Sequence, residues 1–567
     1  MEKTKIWLQV NGTIGIKIGR EEQELNWAHK ALVEKLSIRR FNRHNNVWTC
    51  PFEVFPEIWR SFLHQDLDWD EKLVERQGTL NQLNKNKYNG LPPHPQYSLE
   101  DLKTVPLIHQ EKWLNYALNF KTIVNLCEQG TGKSKMALDY LTLKSISLGL
   151  IVCRNSNCYK WAQEIEKHSD FKAVVLKGTR MERQSKLGWA IGISGRHPVL
   201  LIINYEYIVP FLKVLAKIKW DAFVLDECTA IKSTRSKRHK ALVKLGESVK
   251  YRMIMSGTPL VNNPMDAYGQ LRFMNPGILG KNFSSFQNRY CVMGGFGGYQ
   301  VEEYINLDEL SDKMDSYSFR VLKSECLDLP PKTFHPLVLD PDAEFKKGYK
   351  NIVESVLLEL GDTMKDNSLA IVKMQRCMQY CDGFMYNESA TMDYSEHKTP
   401  KQKELIDFMK EHYKSHNKLI IWFGYRATGE ILEREILKNF KDLDVVMMRG
   451  GSKPEFRQEA IDMFNDHAEY PRCLILQTAS FMHGIDLLSS YSYYYSRTFN
   501  NEEWQQSQAR THGYGRGEEN VSSTYYIARI AGTIEDTIDA ALNWKKSISD
   551  LILRDGIAIR NIMEGIK

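Results

Sequence analysis

Val124-Asn-Leu-Cys-Glu-Gln-Gly-Thr-Gly-Lys-Ser-Lys-Met-Ala-Leu138 is the stretch on which the reading of this chain turns. The apolar run from Ile123 to Leu126 predicts a short buried strand. Gly130, Thr131, Gly132, Lys133 and Ser134 follow as a glycine loop, and Met136, Ala137 and Leu138 begin a helical pattern. Strand, glycine loop and helix form the context of a nucleotide P-loop. The glycines let backbone N–H groups face phosphate oxygens, and the helix N-terminus adds partial positive charge. Lys133 is placed to neutralise β- and γ-phosphates and Ser134 to hold Mg²⁺, so ATP with Mg²⁺ is the expected ligand. A chance glycine turn before a helix gives the same short pattern, and the other motifs must decide.

Two further stretches bear on that choice. Phe223-Val-Leu-Asp-Glu-Cys-Thr229 reads as an apolar strand that delivers Asp226 and Glu227 to the rim of a sheet. Asp226 would act through Mg²⁺ and Glu227 would orient or deprotonate a water. The plainer reading is a pair of helix-capping carboxylates. Met253-Ile-Met-Ser-Gly-Thr-Pro-Leu260 is a strand followed by a turn, whose Ser256 and Thr258 are placed to sense the phosphate site. Gln110, about twenty residues before the P-loop, is expected to read adenine through its amide or to lie on a helix surface. Strands at Leu148–Cys153 and Val199–Ile203 complete an alternating strand–helix pattern, which predicts a doubly wound parallel sheet with its ligand beyond the strand ends.

Size and composition narrow the class. A chain of 567 residues exceeds one ordinary core. The 76 basic residues exceed the 70 acidic ones by only six, which permits nucleic acid as a partner without requiring it. No run approaches 18 apolar residues, so no membrane span is expected. Residues Met1 to Lys5 lack the apolar core of a signal peptide. The ten cysteines are scattered, several within apolar strands, as buried thiols would be; Cys377 and Cys381 lack the second pair that a zinc site needs.

The first 95 residues read as a small α+β module. Ser37 to Trp48 is basic and aromatic together. Arg39, Arg40, Arg43 and His44 would meet phosphates while Phe41 or Trp48 stacks on a base; equally, a charged hairpin would pack Trp48 on a helix. Asn81 to Gln96 reads as a linker. Lys232 to Lys240 is a basic run that suits DNA contact or a solvated helix face.

With these motifs in order, the chain resembles the Swi/Snf-like branch of superfamily 2 helicases over roughly residues 100 to 550. Asp226-Glu227 with Ile231-Lys232 resembles its extended box, and Asn204-Tyr205-Glu206 its motif Ib. Pro259, Asn262, Phe273, Pro276, Phe283, Phe286 and Tyr290 resemble its helical insertion. Arg320, Lys323 and Leu329-Pro-Pro-Lys332 resemble the brace that leaves the first lobe. Lys418–Phe423 resembles motif IV, Gln477-Thr-Ala-Ser480 with Gly484 resembles motif V, and Gly532-Thr-Ile-Glu535 the closing helix. The N-terminal module weakly resembles the DNA-binding module of annealing helicases. The resemblance implies a translocase on duplex or forked DNA, with DNA contacts at Asn204, Tyr205, Lys232, Ser480 and Arg40. It also implies coupling through Ser256, Thr258 and Gly484.

The pattern departs from the family at three places. Gln506 and Arg510 match Gln-x-x-x-Arg-x-x-Arg, but Gly513 takes the second arginine position, with His512 and Arg516 as candidate substitutes. Phe481-Met482 replaces two glycines in motif V, and Arg154-Asn155 replaces a proline in motif Ia.

The expected architecture is α/β, with two RecA-like parallel-sheet lobes and helical insertions behind a small α+β module. Its divisions are residues 1–95, 96–335, 336–398 and 399–567. Lys133, Asp226, Glu227, Gln506 and Arg510 are expected to carry ATP hydrolysis, with Arg510 as the arginine finger. The alternatives are an ATP-gated DNA clamp with weak hydrolysis and an RNA helicase. The expected setting is the cytoplasm of a bacterial or virus-infected cell, with a nucleus not excluded.

Overall fold

A computed structural model of the chain describes residues 3–9, 13–19, 23–36, 39–43, 45–50, 55, 58, 62, 67–89, 91–92, 94–258, 264–280, 282–294, 300–326, 332–361, 367–386, 393–412, 418–466, 472–481, 487, 489, 491–511 and 523–553. The described fold divides into two compact units, one reaching Leu322 and the other beginning at Lys323.

Unit 1 opens with a small sheet of β1 (Lys5–Leu8), β2 (Ile14–Lys17), β3 (Arg40–Asn42), β4 (Val47–Cys50) and β5 (Asp68–Trp69), in the order β3-β4-β2-β1-β5. Ile6, Ile14, Ile16 and Cys50 point to one face and bury against Val33, Leu36 and Leu73. The β3–β4 hairpin is the expected charged one. Trp48 packs partly on that core, while Phe41 lies outside and meets the Trp48 ring at 4.8 Å.

The stretch expected as a linker begins inside a helix, which holds its first six residues, 81–86. A helix spans Glu71–Asn86, capped by Asp70, which accepts from the Lys72 N–H at 3.0 Å. Lys72, Asn81, Lys85 and Asn86 are exposed, Asn84 accepts from the Tyr116 hydroxyl at 2.9 Å, and Leu73 and Leu80 join the module core. Lys87 then ties this helix to the rest of unit 1. Its buried ammonium donates to an Asp315 carboxylate oxygen at 2.7 Å and to the Ser318 carbonyl at 3.1 Å.

The main sheet of unit 1 contains β6 (Thr122–Asn125), β7 (Leu148–Cys153), β8 (Lys172–Val175), β9 (Val199–Asn204), β10 (Ala222–Asp226) and β11 (Tyr251–Met255). A hairpin of β12 (Cys291–Gly294) and β13 (Gln300–Tyr304) intervenes before the last strand, β14 (Ser318–Phe319). The order is β14-β6-β11-β10-β7-β9-β8, and every pairing is parallel. β7 and β9 are buried along their whole length, which is why they read as unbroken apolar runs and not as alternating ones.

Unit 2 carries a second parallel sheet of β15 (Thr333–Leu339), β18 (Lys418–Phe423), β19 (Asp444–Met448), β20 (Arg472–Gln477), β21 (Tyr491–Tyr494) and β22 (Thr524–Ile530). A small hairpin of β16 (Phe384–Tyr386) and β17 (Tyr394–Glu396) lies apart from it. The order is β15-β22-β21-β18-β20-β19. Two parallel sheets, each flanked by helices, are the α/β architecture expected from the sequence. Cys377 and Cys381 lie on the helix Asn367–Asp382. Among the described residues, no helix is long and apolar enough to cross a membrane.

Candidate nucleotide site

The register of the main sheet builds the site. Asn125 pairs with Met255, Met255 with Asp226, and Leu225 with Val152. The carboxyl ends of β6, β11, β10 and β7 are therefore level, and the loops leaving them start from one rim.

The loop after β6 has the shape its glycines permit. Gly130 and Gly132 both sit at φ 83°, in the left-handed region. A Cβ on Gly132 would also collide with the Gln110 amide. Lys133 is the first residue of the helix Lys133–Leu143, so the free N–H groups of its first turn face the loop. The Lys133 ammonium donates to the Glu128 carbonyl at 3.2 Å, and the Thr131 hydroxyl donates to the same oxygen at 2.8 Å. A neutral carbonyl holds an ammonium less strongly than a phosphate would.

Gln110 lies against this loop, but its amide is bonded to protein at both ends. Its oxygen accepts from the Leu107 N–H at 3.0 Å, and its nitrogen donates to the Thr131 carbonyl at 3.2 Å. His109 Nε2 meets the same carbonyl at 2.8 Å. The residue expected to read adenine thus fixes the shape of the phosphate loop.

Asp226 ends β10 and receives the Trp161 indole N–H at 2.9 Å. Burial, and then the adjacent Glu227 carboxylate, push the Asp226 carboxyl above its ordinary value. Trp161 and Lys133 pull the other way. Carboxylate and hydroxyl oxygens, such as those of Asp226 and Ser134, are the donor types that suit a hard divalent cation.

Glu227 is buried and adopts φ 52°, ψ 61°, a left-handed conformation that costs a non-glycine residue on the order of 1–3 kcal/mol. Two donors hold its carboxylate. The Gln129 amide reaches one oxygen at 3.2 Å and the Ser256 hydroxyl the other at 3.4 Å. The Thr258 N–H donates to the Ser256 oxygen at 3.1 Å. Ser256 and Thr258 are thus brought to Glu227, and Ser256 makes the link.

The residues expected to touch DNA are placed differently from one another. Tyr205 has no exposed surface, and its hydroxyl donates to the Asp226 carbonyl at 2.8 Å. It is a support under the site and not a surface contact. Asn204 is buried and donates to a Glu206 carboxylate oxygen at 2.7 Å. Lys232 pairs with Asp266 at 3.5 Å, and Arg40 is exposed on the β3–β4 hairpin. In unit 2, Ser480 donates to the Gln477 side chain at 3.3 Å. Gln506 lies on the helix Asn501–Ala509 with no exposed surface, and Arg510 at its end is buried, its Nε donating to the Gln506 carbonyl at 3.2 Å. Pro259, Asn262, Met482, Gly484, His512, Gly513 and Arg516 lie outside the described residues, as do His44 and Leu329 to Pro331.

Two functional contacts escaped the sequence reading. Trp161 sits in an amphipathic helix whose pattern shows only that the ring is buried. Gln129 stands immediately before the Gly130-Thr-Gly-Lys-Ser134 motif, and nothing local marks its reach to a residue 98 positions away.

The sequence pattern described as SNF2-related domain matches residues 69–419, more than half of the chain. The chain belongs to that family. It is 25% identical over 512 residues to Protein CHROMATIN REMODELING 5 of Arabidopsis thaliana, covering 83% of this chain and 28% of that one. It is 24% identical over 465 residues to Chromodomain-helicase-DNA-binding protein 1-like of Danio rerio, covering 78% and 43%. The chain therefore spans less than half the length of these curated relatives. Among solved structures, the Sulfolobus solfataricus SWI2/SNF2 ATPase core in complex with dsDNA is 20% identical, with a TM-score of 0.38; the match covers 82% of this chain and 96% of that one. The family assignment agrees with the branch to which the sequence motifs pointed.

Proposed function

We propose that this protein is an ATP-driven motor that moves along, or remodels, duplex or forked DNA. The observation that carries the ATPase part is the level rim. It brings Lys133, Asp226, Glu227 and Ser256 from three non-adjacent stretches around one phosphate loop. ATP is the substrate. Ser134 and Asp226 are the residues that would hold Mg²⁺, which supplies charge neutralisation at the phosphates. Lys133 binds the terminal phosphates, and Glu227 orients the attacking water and accepts its proton. Gln506 and Arg510 are the further residues that would carry turnover, by their match to the family motif.

DNA as the track is supported by membership of the SNF2-related family and by the name of the Danio rerio relative. Exposed Arg40 beside the Phe41–Trp48 pair offers a cation and a stacking face on the N-terminal module. Replication, recombination or repair is the proposed context and the cytoplasm the proposed compartment.

A second reading is an ATP-gated DNA clamp with weak hydrolysis. It is favoured by the burial of Arg510, with its Nε bonded within its own helix. One experiment separates the readings. ATP turnover is measured without polymer, then with duplex DNA, single strands and RNA. Stimulation by duplex DNA supports the motor. ATP-dependent DNA binding at a turnover that stays low throughout supports the clamp. A rate that rises only with RNA supports an RNA helicase.

A further inference from the structure

We propose that Gln129 is a positioning residue for Glu227, acting from inside the phosphate loop on the carboxylate that handles the attacking water. The proposal rests on the ATPase reading above. Gln129 is the residue immediately before Gly130, and its backbone belongs to the loop that wraps the phosphates. Its side chain leaves that loop and donates to Glu227 Oε1 at 3.2 Å. The Ser256 hydroxyl takes Oε2 at 3.4 Å, so each carboxylate oxygen has one protein donor and one lone pair left for water.

The geometry around this contact is closed. Gly257 lies so near the loop that a Cβ there would stand 2.9 Å from the Gln129 backbone nitrogen and 3.1 Å from its Cγ. The same Cβ would be 3.4 Å from Lys133 Nζ. The turn after β11 therefore presses on Gln129 and limits where its amide points. Glu227 itself is in a left-handed conformation that its own backbone does not favour. A carboxylate on a strained backbone keeps one orientation only if its side chain is held, and Gln129 and Ser256 hold it. The two donors come from the loops after β6 and β11, neighbouring strands on one side of β10, while Glu227 follows β10 itself. A phosphate entering the loop thus meets a residue whose side chain is already bonded to the general base.

The test uses the full chain and ATP turnover with saturating duplex DNA. Gln129→Met keeps the length of the side chain and removes the donor. It is expected to lower kcat by about ten- to a hundredfold, the worth of one hydrogen bond to a charged group. KM for ATP and the affinity for ADP are expected to stay within about twofold, since Glu227 is not a ground-state ligand. Gln129→Glu, which places a carboxylate against a carboxylate, is expected to lose at least as much. The decisive arm is the same Gln129→Met change on a Glu227→Asp background. The shorter carboxylate no longer reaches position 129, so the further loss is expected to be under about twofold. Equal losses on both backgrounds would mean that Gln129 supports the loop and not Glu227, and would overturn the proposal. A rise in DNA-free turnover in Gln129→Met would also overturn it, by making the contact a restraint. Wild-type protein that binds ADP but hydrolyses no ATP with any polymer would instead remove the ATPase reading itself.

Discussion

Replacing Lys401 by methionine should cost unit 2 several kcal/mol, and the cost should depend on pH. Lys401 has no exposed side-chain surface. Its ammonium donates to Asp382 Oδ1 at 2.8 Å, Glu535 Oε1 at 2.7 Å and the Tyr495 carbonyl at 3.0 Å. Asp382 keeps a bond from the Thr428 hydroxyl at 2.8 Å, and Glu535 keeps one from the Ile530 N–H at 2.8 Å. Methionine matches the stem of lysine, so packing survives and the loss is electrostatic. Removing one partner of a buried ion pair costs about 3–5 kcal/mol. Burial already pushes the Glu535 carboxyl above its ordinary value, against the pull of Lys401, and without Lys401 it rises further. A carboxyl raised in the folded state stabilises the fold most below its unfolded value and loses that contribution as pH climbs through the folded one. The deficit of Lys401→Met should therefore be larger at pH 8 than at pH 5. Hydrogen exchange of the β18 strand reads the opening free energy of unit 2 without requiring the whole chain to unfold together. Adding Asp382→Asn and Glu535→Gln to Lys401→Met should recover most of the loss. An opening free energy at pH 7.5 within about 1 kcal/mol of wild type would refute the reasoning, because the triad would then be an incidental cluster.

Other predictions follow from single contacts. Burial alone would raise the Glu309 carboxyl, but Arg289 and Lys313 outweigh it and hold it at about 2. Its stabilisation is complete above the unfolded value of about 4.5 and is lost as pH falls toward 2, so Glu309→Gln, discounted for the solvent around the exposed Arg289, should cost about 1 kcal/mol at pH 7 and flatten that limb in exchange of the helix Leu307–Asp315. Trp161→Phe keeps the ring but deletes the 2.9 Å donor to Asp226. Calorimetric titration should show ADP with Mg²⁺ binding about tenfold weaker and ADP without metal unchanged. Gly257→Ala forces a methyl group against the Gln129 backbone at 2.9 Å, an overpacking worth about 1–3 kcal/mol. Turnover should fall while exchange of unit 2 peptides stays at wild-type values.

The parallel sheets were legible because buried strands and glycine loops leave strong local marks. Leu148–Cys153 and Val199–Asn204 are apolar from end to end, and a strand buried on both faces has little other choice. Lys133, Asp226 and Ser256 were legible because each follows a strand directly, and parallel register then delivers all three to one edge. The helix Glu71–Asn86 was not legible, since its asparagines and lysines read as loop and only Leu73 and Leu80 mark the buried face. Tyr205 was misread for a related reason. The sequence places it at the rim, but whether a tyrosine at a rim points outward or under its neighbour depends on packing. Here its hydroxyl completes the Asp226 carbonyl. Gln110 shows the same limit, because an amide can read a base or a backbone carbonyl with equal ease, and only the Thr131 contact separates the two.

The strain at Glu227 explains why the three motifs must be read together. A left-handed glutamate is unfavourable by itself. Its carboxylate is held by the loop after β6 and the turn after β11, two strands that lie on one side of β10, with β11 beside it and β6 next in order, at matched register. The phosphate loop, the acidic pair and the serine turn are thus one mechanical unit with Glu227 at its centre. On the reading proposed above, a nucleotide that draws Lys133 from the Glu128 carbonyl to its own phosphates would act on a loop already bonded to Glu227. In such an arrangement, recognition of phosphate and alignment of the base are one event, and the contact between Gln129 and Glu227 is where they meet.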